Sequence, residues 1–142
     1  MDPLHLAHLF FILVWLGLIF GETAMEIAGR ERAFWPALAR FHYLIDVYIE
    51  MPLIVGIVVT GALLLLNTAP DMLLWIKLAD AAVAIAANLA CFWMVVVRAR
   101  RVAVADEGFR VWTAKTYFRL LGVGFPFGIL ALVLGAHRMN WC

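Results

Sequence analysis

Apolar residues fill four long stretches of the chain, and polar residues gather between them. The pattern predicts helices over about residues 4–28, 37–66, 72–98 and 111–136. Each stretch reaches the roughly 20 mainly apolar residues that a membrane-crossing helix requires. Gly29-Arg30-Glu31-Arg32 ends the first stretch, and Pro36 suits the first turn of the second. Asn67 to Asp71 forms a tight turn, and Arg98 to Gly108 separates the third stretch from the fourth. None of the four alternates as a strand does, and an open sheet cannot cross a bilayer. The first stretch is too long for a signal peptide and lacks a basic leading region, so it is expected to remain as a helix. The expected fold is all-α: an integral-membrane four-helix bundle, with residues 1–142 as a single transmembrane domain.

Composition agrees. Of 142 residues, 66% are hydrophobic and 15% charged, whereas a water-soluble domain is nearer half apolar and a quarter charged. Too little polar surface exists to cover a water-soluble globule. A net charge of +1 offers no footprint for nucleic acid. Cys91 and Cys142 stand far apart and form neither a disulfide framework nor a zinc pattern.

Basic residues set the expected orientation. Arg30, Arg32 and Arg40 flank the loop after span one. Arg98, Arg100, Arg101, Arg110 and Lys115 flank the loop after span three, and only Arg138 marks the opposite side. The positive-inside rule then places both loops in the cytoplasm and both termini outside, in a bacterial inner (cytoplasmic) membrane. Trp75 and Trp141 suit an outer aromatic belt, and Trp35 and Trp112 an inner one.

Polar residues within the spans carry the chemistry, because a charge at mid-membrane is costly and usually faces a bundle interior. On span one, His8, Trp15 and Glu22 are spaced by sevens, and Glu26 follows Glu22 by four. On span two, His42, Asp46 and Glu50 are spaced by fours. On span three, Lys77 and Asp80 lie one turn apart, ahead of Asn88 and Cys91. Such spacings put each set on one helix face. With a rise of about 1.5 Å per residue, two depths separate. His8, Lys77 and Asp80 belong to an outer site. Glu22, Glu26, His42, Asp46 and Glu50 belong to an inner one.

The inner set reads as a metal site, since bundles hold divalent ions with carboxylates and imidazoles from facing helices. Two other uses are open: neutralisation of these acids by Arg30, Arg32, Arg40 and Arg119, and a proton or ion path. At the outer site, His8 is either a haem ligand or an interior histidine bonded to a neighbour. The alanine-rich run from Ala79 to Ala90 either leaves room for a porphyrin or serves close helix packing. Lys77 is alternatively a snorkelling residue. His5 and His137 are expected nearer the surface. On span four, Gly122, Gly124, Pro126 and Gly128 point to a kink and a close approach, and Tyr117 and Arg119 are candidates to join the inner site.

The order His8, Trp15 and Gly17 on span one, Pro52 and Gly61 on span two, and Trp75-Ile76-Lys77-Leu78 opening span three resembles the HemJ-type protoporphyrinogen oxidases and the related CopD-like membrane domains. The resemblance implies a four-helix bundle with haem b held by His8; Trp15, on the same face of span one, is a further cofactor-binding candidate. It implies that Lys77 sits by the haem or the tetrapyrrole substrate. Asp80, one turn from Lys77, is a further catalytic candidate. The end of span one, Gly21-Glu22-Thr23-Ala24-Met25-Glu26, and the entry to span four depart from the family pattern. The added carboxylates point to a divergent relative with a different substrate or an additional ion.

The first expectation is therefore a membrane-embedded haem b redox protein acting on a quinone or tetrapyrrole-like partner, with a homodimer among its expected assemblies. The second is a metal-ion binding or transport protein built on the His/Asp/Glu cluster. The third is a structural subunit of a larger membrane complex.

Overall fold

The computed structural model describes residues 2–29, 31 and 33–138. Arg30, Arg32, Trp141 and Cys142, named above, lie outside the described residues. Among the described residues every regular element is helical: α1 (Pro3–Ala28), α2 (Trp35–Ile45), a π-helical turn (Asp46–Glu50), α3 (Met51–Leu66), α4 (Met72–Arg101) and α5 (Glu107–Arg138). The elements from Trp35 to Leu66 form one continuous span, so four helices are long and apolar enough to cross a membrane. The chain is thus an integral membrane protein by length and composition of its helices. Large apolar side chains such as Phe10, Phe20, Val55 and Trp93 stand exposed on them, as a lipid-facing surface requires.

Capping chemistry sets the helix ends. Asp2 accepts a hydrogen bond from the Leu4 N–H, with Pro3 in the first turn. Asp71 Oδ1 accepts from Leu74 N–H at 2.7 Å and starts α4. Asp106 Oδ1 does the same for Phe109 N–H at 2.7 Å and starts α5. This explains where the elements outrun the apolar pattern. The second span begins at Trp35 with Pro36 in its first turn, where a missing N–H costs no helical bond. The helix of span four starts at its acidic cap, four residues before the apolar run begins at Val111. At the other end of that loop, α4 continues through Arg98, Arg100 and Arg101, good helix formers whose charge suits a helix C-terminus.

The π-helical turn also has a local cause. Pro52 has no N–H to donate back along the helix. The turn before it widens by one residue, and Met51 N–H reaches the Asp46 carbonyl instead of that of Val47. Wide turns of this kind are frequent at functional sites.

The chain divides into two compact units: Met1–Ala69 with Arg98–Ala103, and Pro70–Val97 with Val104–Cys142. In the first, α1 runs antiparallel to the α2–α3 span. In the second, α4 packs closely on α5. A Cβ placed on Gly124 would come within 2.8 Å of the Ala87 Cβ and 3.5 Å of the Ala84 carbonyl, so only glycine allows this approach. Ala84 is itself buried, so these two alanines of the run serve helix packing. Arg138 Nη2 pairs with Asp71 at 3.0 Å across the ends of the two helices. Trp35 is buried at 6% exposure, which places it inside the fold and not in an aromatic belt; Trp75 and Trp112 are exposed.

Candidate metal centre

The first unit buries Glu22, Glu26, His42, Asp46, Glu50 and Arg98, each at 4% exposure or less. Alpha-helical spacing places Glu22 and Glu26 one turn apart on α1, facing His42 and Asp46, one turn apart on the second span. The structure thus brings the sequence-predicted inner set together and adds Arg98.

His42 is the hub. Glu26 Oε1 lies 2.5 Å from His42 Nδ1 and 2.6 Å from Arg98 Nη2. Arg98 Nη2 in turn lies 2.7 Å from His42 Nδ1. A guanidinium only donates, so Glu26 is the acceptor common to both neighbours, while Nδ1 lies close to a donor and an acceptor alike and its role depends on the tautomer. In the neutral tautomer that donates from Nδ1 to Glu26, the lone pair sits on Nε2. A carboxylate holding the far ring nitrogen is how metal-binding histidines are oriented.

Nε2 faces two more acids, Asp46 Oδ1 at 3.4 Å and Glu22 Oε2 at 3.7 Å. One ligand atom from each of Glu22, His42 and Asp46 lies within 4.8 Å of the others. Asp46 Oδ1 and Glu22 Oε1 are buried without a hydrogen-bond partner among the described residues. Two donors on one ion with bonds of about 2.1 Å stand about 3.0–3.6 Å apart at angles of roughly 90–120°. The observed separations approach that range and exceed a good hydrogen bond. Glu50 closes the group: Trp15 Nε1 donates to its Oε1 at 3.2 Å, and Asp46 lies within its electrostatic reach.

Among the described residues, four buried carboxylates, Glu22, Glu26, Asp46 and Glu50, lie in one cluster with the Arg98 guanidinium and the His42 imidazole. Burying ionised acids without compensation is costly, and a metal ion or protons would supply positive charge to the cluster. Of the arginines expected to neutralise it, Arg40 and Arg119 are exposed, and Arg30 and Arg32 lie outside the described residues. Arg98, counted from sequence as a loop charge, takes that role. A signal existed: Arg98 continues the alternating four- and three-residue spacing of Ala84, Asn88, Cys91 and Val95 along one face of α4.

The other candidates are His8, Lys77, Asp80 and Tyr117. His8 Nδ1 lies 2.7 Å from Thr60 Oγ1, and the Thr60 hydroxyl reaches the Gly56 carbonyl at 2.6 Å. With its one proton committed to that carbonyl, Thr60 accepts from His8 Nδ1–H, which leaves the lone pair on Nε2. The His8 ring rests against Gly61, where a Cβ would stand 3.2 Å from Cε1. Thr60 was not anticipated from sequence. Lys77 and Asp80 belong to the second unit. The Lys77 amine lies over Gly135, where a Cβ would stand 3.1 Å from Nζ, and Asp80 is buried at 7% exposure. Tyr117 is also in the second unit, buried and edge-on to Phe118 at 5.3 Å between ring centroids. No family model, curated protein or solved structure matches the chain.

Proposed function

We propose that the protein is a membrane-embedded binding protein for a divalent transition-metal ion, held by Glu22, His42 and Asp46. One observation carries this reading. Nε2 of His42 faces two buried carboxylates, Asp46 at 3.4 Å and Glu22 at 3.7 Å, while Glu26 bonds the other ring nitrogen. One imidazole with carboxylates is a donor set for Mn²⁺, Fe²⁺ or Zn²⁺, and not for copper(I), which prefers thiolate and thioether ligands. Glu50, steadied by Trp15, stands ready as a further oxygen donor.

Purified protein titrated with Mn²⁺ is expected to quench the six-line spin-resonance signal of the free ion at one equivalent per chain. Glu22→Gln, which replaces a charged ligand by a neutral one of the same size, is expected to weaken binding by about tenfold or more. If wild type takes up none of Mn²⁺, Fe²⁺ and Zn²⁺, or if Glu22→Gln binds as wild type does, the reading fails.

A second reading, haem b bound at His8 in a redox protein with a quinone or tetrapyrrole-like partner, is favoured by the His8–Thr60 bond. That bond fixes the tautomer an axial ligand needs. It predicts a Soret band on haemin titration that His8→Ala removes. A spectrum identical to free haemin in wild type would dismiss it.

A further inference from the structure

The seam between α1 and the second span continues past the metal cluster. Trp15 meets Glu50, then Phe11 meets Gly56, then His8 meets Thr60. Polar pairs thus lie on both sides of one apolar contact. That contact is shaped for its occupant: a Cβ on Gly56 would stand 2.9 Å from two atoms of the Phe11 ring, so the ring fills a notch that only glycine leaves. From Glu26 to His8 the seam covers 19 residues of α1, about 27 Å at helical rise. This is close to the roughly 30 Å hydrocarbon thickness of a bilayer.

We propose that this seam is a translocation route for the divalent cation held at Glu22, His42 and Asp46. Phe11 is its gate, and His8 with Thr60 is the polar station beyond it. The inference rests on the metal reading and goes further, from binding to passage. Three features argue for it. Polar side chains at membrane depth are costly, and a resident metal needs none at the far end. The Glu50 carboxylate, with Trp15 donating to it, stands between the cluster and the notch and gives the ion an acidic step toward the gate. An apolar constriction between polar stations closes a pathway by excluding water. An aromatic ring seated on a glycine can swing aside without breaking a helix.

Mn²⁺ influx into liposomes, read by quenching of entrapped calcein, tests the route. Wild type is expected to give saturable influx above protein-free liposomes. Phe11→Ala is expected to raise the rate at least threefold while leaving Mn²⁺ affinity in detergent within twofold. Phe11→Leu, which keeps an apolar plug, is expected to stay near wild type and guards against general disruption. His8→Ala is expected to slow influx with affinity retained. Stoichiometric Mn²⁺ binding with no influx in wild type and Phe11→Ala would overturn the route and leave the metal site standing. Loss of binding in wild type would overturn the site, and the route with it. Equal influx in Phe11→Ala and wild type would remove Phe11 as the gate. A Soret band that depends on His8 would overturn the route as well, because a porphyrin on that ring would occupy its far station.

Discussion

Arg98→Met is expected to lower stability by about 3–5 kcal/mol, the usual cost of removing one partner of a buried ion pair. The guanidinium is 1% exposed and lies 2.6 Å from Glu26 Oε1. Methionine fills much of the same space but leaves Glu26 as an uncompensated buried charge. The double variant Arg98→Met with Glu26→Gln should therefore recover a large part of the loss, a coupling that exposed pairs do not show. Reversible unfolding in mild detergent, followed by helical circular dichroism, measures all three. If Arg98→Met lies within about 0.5 kcal/mol of wild type, Arg98 behaves as a surface charge, and its place at the hub is wrong.

The second large effect is stabilisation by metal. A ligand that binds only the folded state adds about 2.7 kcal/mol at a free concentration one hundred times its dissociation constant. Mn²⁺ at that level should raise the unfolding midpoint of wild type clearly, and His42→Ala should abolish the rise. Glu26→Gln keeps all three ligands but loosens the clamp on His42 Nδ1, so its affinity should fall by about 10- to 100-fold, as for other groups that orient a ligand. The same rise in His42→Ala as in wild type would place the ion elsewhere. A pure ion-pair network predicts no rise in any of them.

The spans and the inner acids were legible because both rest on strong local signals. Long apolar runs are unambiguous, and Glu22, Glu26, His42, Asp46 and Glu50 stand out against them at helical spacing. Arg98 was obscured because a basic residue near a span end reads first as an orientation charge, and only the α4 face it continues shows otherwise. Thr60 was obscured because threonine in a membrane helix normally bonds its own backbone, as it does here to the Gly56 carbonyl, before it can be seen to hold His8. The residues of the outer set are divided between the two units. Depth along a helix puts His8 level with Lys77 but says nothing of the unit to which each belongs.

The widened turn ahead of Pro52 acts as a phase adjuster. It carries one residue more than an α-turn, and one residue is worth about 100° of rotation around a helix. Up to Asp46 the second span presents one set of side chains to α1. After the turn it presents Gly56, Thr60 and Gly61 to the same neighbour. In an uninterrupted α-helix lacking that extra residue, His42 and Asp46 would keep their places while the far half turned by a quarter revolution or more. A missing N–H at one proline thereby aligns the two ends of the seam with each other.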